Sequence, residues 1–236
     1  MKHVLGHLRR ADEDFDLIED GDTIAVGVSG GKDSMALLFA LHLYKNFARY
    51  KYSISAATVD LGFPGFKAAL ITDYCASLGI AHTVVKTRIA DIVFEAREEK
   101  NPCSLCSKMR KAALFTHIKQ QGISKCAFAH HRDDCLESLL MSMLYEGRMR
   151  TFKPKTYLDR KDVTLIRPLI LLPEKEISAA AVRHDLPVAK NPCPASGVTK
   201  RQQIKELLAH ISANNSGARG NMLTALKNID QYSLWD

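Results

Sequence analysis

The chain has 236 residues, 33 Lys+Arg against 26 Asp+Glu for a formal net charge of +7, with 46% hydrophobic and 25% charged residues. These proportions exclude a fibrous chain or a long disordered tail, and a chain of this length builds a core without disulfide staples. The apolar run Met35 to Leu41 is far short of the about 20 residues a membrane span needs, and the charged start MKHVLGHLRRADEDFD does not fit a secretory signal, so the expectation is a cytoplasmic protein with reduced thiols and no membrane.

The first strong apolar run, Thr23 to Val28, is short, β-branched and unbroken, which predicts a buried parallel strand. Residues 34–46 then carry apolar side chains at helical spacing. The pattern repeats: a strand over Ser53 to Leu61 and a helix over Phe66 to Leu78, then a strand over Ala81 to Lys86 and a helix over Leu105 to Gln121. A strand over Lys125 to Ala129 and a helix over Asp133 to Tyr145 follow. Residues 148–163 are polar and basic and read as a loop. A fifth strand is expected over Leu165 to Leu169, then helices over Glu174 to His184, 199–211 and 219–229. Alternation of this kind predicts an α/β fold: a parallel sheet of about five strands with helices on both faces and a small helical C-terminal extension. The expected organisation is an N-terminal segment 1–20, an α/β domain 21–190 and a C-terminal segment 191–236 with helices. Ligands of such sheets bind beyond the strand C-terminal ends, where the strand order reverses. Ser29–Ser34, Asp60 and His130–Asp134 all fall there.

The sharpest local feature is Ser29-Gly30-Gly31-Lys32-Asp33-Ser34. Glycines let successive N–H groups turn toward one anion, the following helix adds its N-terminal dipole, Lys32 adds a charge, and Ser29 and Ser34 add hydroxyls. This is a phosphate cradle. It is not a Walker A loop, which would need Gly at Val26 and Ser or Thr at Asp33.

Six cysteines stand at 75, 103, 106, 126, 135 and 193. In a reduced chain the close pair Cys103 and Cys106 points to metal or redox chemistry. With Cys193, in Asn191-Pro-Cys-Pro194, they make three ligands. That number suits a [4Fe–4S] cluster with one open iron, and equally zinc with a fourth ligand from His or water. Arg110 lies one helical turn past Cys106 and can place a cation beside the reacting groups. Asp60, ending the second strand, is a candidate for the ribose or the target base. His130, His131, Asp133 and Asp134 open a helix, where a carboxylate either caps the helix or serves Mg²⁺ or proton transfer. Lys45, Arg49, Lys51 and the basic stretch Arg148–Arg160, with Phe152 and Tyr157 available for stacking, are candidate RNA contacts. The net charge also suits a polyanionic partner.

The glycine loop resembles the signature of the PP-loop ATP pyrophosphatase superfamily. Residues 103–111, Cys-Ser-Leu-Cys-Ser-Lys-Met-Arg-Lys, resemble the Cys-x-x-Cys-Ser-x-x-Arg-Arg stretch of TtcA-type tRNA 2-thiocytidine synthetases. Ala129-His-His-Arg-Asp-Asp134, Met143-Leu-Tyr-Glu-Gly-Arg-Met149, Ile166-Arg-Pro-Leu169 and Glu174-Lys-Glu-Ile177 also match that family in register. The likeness spans about residues 15–210. It implies ATP and Mg²⁺ at Ser29–Ser34, a [4Fe–4S] cluster on Cys103, Cys106 and Cys193, and Asp133 as the catalytic aspartate. The implied activity is an ATP-dependent tRNA thiolase. It adenylates a base carbonyl oxygen, that of cytidine C2, and replaces it with sulfur from a cysteine desulfurase or free sulfide, in an enzyme that can be a homodimer. Uridine 2-thiolation, lysidine formation and a non-catalytic ATP-binding iron–sulfur sensor are the alternatives. Two positions depart from the pattern: Ala129 replaces a glycine, and Ser196 stands where the family often has a further cysteine.

Overall fold

The computed structural model describes residues 1–97, 102–189, 192–195 and 200–228. Helix α1 (Lys2–Phe15) precedes β1 (Asp22–Gly27), α2 (Lys32–Tyr44), β2 (Tyr52–Asp60), α3 (Ala68–Ser77) and β3 (His82–Lys86). A π-helical turn (Asp91–Ala96) leads to α4 (Pro102–Gln120), β4 (Lys125–Ala127) and α5 (Arg132–Glu146). The chain continues through β5 (Lys155–Leu158), β6 (Val163–Ile166), α6 (Glu174–Arg183), α7 (Lys200–Asn214) and α8 (Ala218–Lys227).

These elements fall into two compact units. Met1–His131 with Lys153–Ser196 forms the first, and Arg132–Phe152 with Gly197–Asp236 the second. The spatial division thus differs from a division at 20 and 190: α5 groups with the C-terminal helices, and the N-terminal segment, as α1, joins the sheet unit.

In the first unit six strands run in the order β3-β2-β1-β4-β6-β5. All neighbours are parallel except β5 and β6. The chain builds outward from β1 to β3 and then returns to the other side of β1 at β4. The order therefore reverses at β1, and the loop after it sits at the switch point. Side chains alternate across the sheet. Ala25, Ala57, Cys126 and Leu165 pack with Leu114, Phe115 and Ile118 of α4. α2, with Met35, Leu37, Leu38 and Leu41 fully buried, packs on β1 and β2 and is itself covered by α1 and α6.

The sheet has one strand more than expected. Part of the expected loop 148–163 is β5, paired antiparallel with β6 through Thr156–Leu165 and Tyr157–Thr164. An edge strand with polar and charged residues satisfies only one ladder, so its composition reads as loop. The expected strand 165–169 ends at Ile166. Pro168 has no N–H for a ladder, and Leu169–Leu172 form a buried turn. α1 escaped the reading because its inner stripe is narrow and includes a buried acid: Val4, Leu8, Ala11 and Asp12.

In the second unit α5, α7 and α8 pack mutually. Leu136, Ile204 and Leu208 form the core, with Leu140, Met141, Met222 and Leu226 against it.

Candidate active site

The glycine loop leaves β1 and enters α2. Val28 extends the strand by one bond, its N–H donating to Ala57 O at 2.9 Å. Gly30 then turns left-handed, φ +81°. The loop is closed by its own hydroxyls. Ser34 Oγ donates to Gly31 O at 2.9 Å and accepts from Ser29 N–H at 3.2 Å. Ser29 Oγ lies 3.2 Å from Ser34 Oγ and accepts the Gly31 N–H at 3.4 Å. Gly31 is the N-cap of α2 and supplies no side chain, so the first amides of the helix remain aimed outward as anion donors.

Lys32 Nζ donates to Asp33 Oδ1 at 2.8 Å and to Glu174 Oε1, in the first turn of α6, at 3.0 Å. Burial works against the ammonium, but the two carboxylates outweigh it and hold the group above the ordinary lysine value. Glu174 was not among the residues singled out. Its only sequence signal was its place in the matched stretch Glu174-Lys-Glu-Ile177.

A second strand of chain crosses the loop. Ala189 N–H donates to Gly30 O at 2.9 Å, and a Cβ on Gly30 would come within 2.9 Å of Ala189 Cβ. Four residues further on is Cys193, half-buried. Cys103 is exposed and Cys106 half-buried at the start of α4. Burial pushes the Cys106 thiol up, Arg110 opposes this, and Cys193 and Cys103 push it further up. Sulfur donors beside a guanidinium are of the right chemistry for iron–sulfur or zinc. Among the described residues no three His, Cys, Asp or Glu side chains are gathered closely enough to hold a metal ion. Ser196 lies outside the described residues. Cys75, Cys126 and Cys135 are buried.

Asp60 ends β2 at the same sheet edge as the glycine loop, and its Oδ1 accepts the Gly62 N–H at 2.9 Å, so one carboxylate oxygen stabilises its own turn. His130 follows β4. Its Nδ1 lies 3.3 Å from Nε of Arg167, a buried guanidinium that also donates to Lys153 O and to Thr156 Oγ1. An arginine always donates, so His130 accepts at Nδ1. Arg167 is a second residue visible beforehand only as part of a matched stretch.

The candidate RNA contacts divide. Lys45, Arg49 and Lys51 precede β2 and so lie at the strand N-terminal edge, opposite the glycine loop. Lys155 is committed to Asp16 O and Glu19. Tyr157 is exposed on β5, its hydroxyl donating to Asp162. In the second unit Arg148 and Arg150 are exposed, the latter beside Glu146 at 3.3 Å.

Also in the second unit, Asp133 is buried and ion-paired with Arg219 of α8, and Asp134 and Glu137 meet Arg201 of α7 at 3.3 and 3.5 Å. Both arginines went unnoticed in the sequence, where nothing ties them to α5.

An anion cradle at the switch point of a parallel sheet marks a phosphate-binding α/β protein. The PP-loop domain model matches residues 6–211, and the chain belongs to that family. Within it the chain belongs with the tRNA-cytidine(32) 2-sulfurtransferases. It is 36% identical to that of Geobacter sulfurreducens, over 100% of this chain and 93% of the relative. It is 38% identical to that of Sorangium cellulosum, over 96% and 81%. Among solved structures it resembles the U34-tRNA thiolase NcsA from Methanococcus maripaludis with its [4Fe-4S] cluster. The TM-score is 0.79 at 22% identity, over 98% of this chain and 79% of that one. An NH3-dependent NAD synthetase from Campylobacter jejuni matches at TM-score 0.51 and 18% identity, over 100% and 97%. At these identities the two likenesses show the fold.

Proposed function

We propose that this protein is an ATP-dependent tRNA thiolase that replaces the C2 oxygen of cytidine 32 with sulfur. The observation that carries the reading is the Ala189–Gly30 contact, which ties the phosphate cradle to the segment bearing Cys193. ATP lies with its β- and γ-phosphates on Ser29–Ser34, entering as its Mg²⁺ complex. The hard carboxylates of Asp33 and Glu174 suit that ion. The loop amides and Lys32 stabilise the pyrophosphate as it leaves. Cytidine O2 attacks the α-phosphorus, the bond to the β-phosphate bridging oxygen breaks, and O2 becomes part of a good leaving group. Hydrosulfide then adds at C2, and AMP departs with the former carbonyl oxygen.

Cys103, Cys106 and Cys193 would hold a [4Fe–4S] cluster, which leaves one iron without a protein ligand to present sulfur. Arg110 lowers the cost of thiolate at Cys106 and supplies positive charge nearby. Asp133 is assigned to proton transfer, its carboxylate oriented by Arg219, and Asp60 to the ribose or target base. Exposed Arg148 and Arg150 suit tRNA phosphates. Free sulfide or a cysteine desulfurase supplies the sulfur, the enzyme works in the cytoplasm, and a homodimer is compatible with the reading. Among the described residues no helix is long and apolar enough to cross a membrane.

The test pairs an assay with a strain. Lys32→Ala should abolish tRNA-dependent pyrophosphate release while retaining iron and labile sulfide. Transfer RNA from a deletion strain should lose 2-thiocytidine. Full pyrophosphate release by the variant, or an unchanged thionucleoside profile, overturns the proposal.

A further inference from the structure

We propose that Tyr145 is a stacking platform for an unpaired base of the tRNA, set in an exposed apolar patch of the second unit. This rests on the reading of the chain as a tRNA thiolase. α5 buries Leu136 against Ile204 and Leu208 of α7, but its last turn opens to solvent. Met143, Leu144 and Tyr145 are 42%, 58% and 48% exposed, and Met149, just past the helix, is 54% exposed. Large apolar side chains gathered in this way mark an interaction surface, whereas singly scattered ones do not. The turn that follows is built. Gly147 is left-handed, φ +62°, and the Arg148 N–H returns to Ser142 O at 3.1 Å, which folds the chain back beside the helix end.

Within this patch the tyrosine ring is held from the neighbouring helix. Lys200, the first residue of α7, places Nζ 4.8 Å from the ring centroid, inside the range in which a cation is attracted to an aromatic face. The hydroxyl reaches Gln203 Oε1, also on α7, at 3.5 Å. A ring already fixed loses little freedom when a ligand docks on it. Stacking of a nucleobase asks for a flat π face with cationic side chains alongside, and Arg148 and Arg150 are exposed next to it. The proposed chemistry calls for such a surface. Cytosine O2 is occupied in a Watson–Crick pair, so an enzyme that reacts there takes an unpaired cytidine, and unpaired nucleotides are read by stacking on aromatic side chains. A second copy of this chain fits the patch less well. A two-fold seam joins the same surface of both copies and would set Arg148, Arg150 and Lys200 against their counterparts, whereas RNA meets them with phosphates.

The test measures binding of a fluorescently labelled tRNA transcript by anisotropy over a range of salt concentrations, for the full-length wild type, Tyr145→Leu and Tyr145→Phe. Tyr145→Leu keeps apolar bulk but loses the flat ring, and should weaken binding about tenfold. Because no phosphate contact is lost, the dependence of log affinity on log salt should keep its wild-type slope. Tyr145→Phe keeps the ring and loses only the hydroxyl, and should bind within about threefold of wild type. Sedimentation of each protein reads the oligomeric state in parallel. A leucine variant that binds as tightly as wild type, a phenylalanine variant as weak as the leucine one, or a loss of affinity that accompanies a change from dimer to monomer overturns the stacking role and leaves the tRNA reading standing. Wild-type protein that does not bind the transcript overturns that reading and this inference with it.

Discussion

Gly30→Ala tests whether the crossing of the phosphate loop by residue 189 is a built contact. Two separable costs arise at this position. The backbone is left-handed at φ +81°, where a Cβ costs about 1–2 kcal/mol. That Cβ would also stand 2.9 Å from Ala189 Cβ and 3.1 Å from Ile71 Cδ1. Ala189 Cβ is fixed to its backbone and Ile71 is fully buried, so neither yields freely, and forcing extra atoms into packed surroundings costs about 1–3 kcal/mol. Together the substitution should destabilise by about 3 kcal/mol, which for a chain of this size lowers Tm by roughly 6–12 °C. If the crossing segment yields, the Ala189 N–H to Gly30 O bond is lost and ATP affinity falls with it. The neighbouring Gly31→Ala is the control. Its backbone is ordinary, φ −73°, and its Cβ would meet only Ser29 Oγ at 3.5 Å, so it should cost less than about 1 kcal/mol. Thermal unfolding by circular dichroism, with ATP titration of each variant, reads both effects. A Gly30→Ala protein that melts within about 2 °C of wild type and binds ATP normally refutes the reasoning.

Two further outcomes follow from titrating groups. Burial raises the Asp12 carboxyl above its ordinary value, against the bonds it accepts from Tyr44 OH and Ile18 N–H. Its contribution is therefore full below an ordinary carboxyl pKa of about 4 and lost as pH rises through the folded value. Asp12→Asn should gain stability relative to wild type between pH 4 and 7 in urea melts, and a relative loss would contradict this. Asp12→Ala, which orphans both donors, should cost about 1–3 kcal/mol. Arg110→Ala removes the cation that holds the Cys106 thiol down against burial. Because thiols must deprotonate to bind metal, the pH midpoint for thiolate-to-Co²⁺ charge-transfer absorption should move upward, and an unchanged midpoint would separate Arg110 from the thiols.

The parallel core was legible because its strands are continuous apolar runs and its helices follow them at fixed spacing, and the glycine loop because six ligand-type residues are contiguous. What escaped has one physical origin: polar groups whose meaning depends on a distant partner. α1 buries Asp12, which reads as surface until Tyr44 is placed against it. β5 reads as loop because its ladder is one-sided. Asp133 alone reads as a helix-opening acid, and only the fold brings Arg219, 86 positions away, onto it. Glu174 is the sharpest case. In sequence it is a favourable first-turn acid of α6; in space it is ion-paired with Lys32. A charged residue at a helix start thus has two causes that local reading cannot separate, and they diverge in one measurement. A capping acid changes stability alone, whereas a counter-ion of the loop lysine also changes how tightly the loop binds an anion.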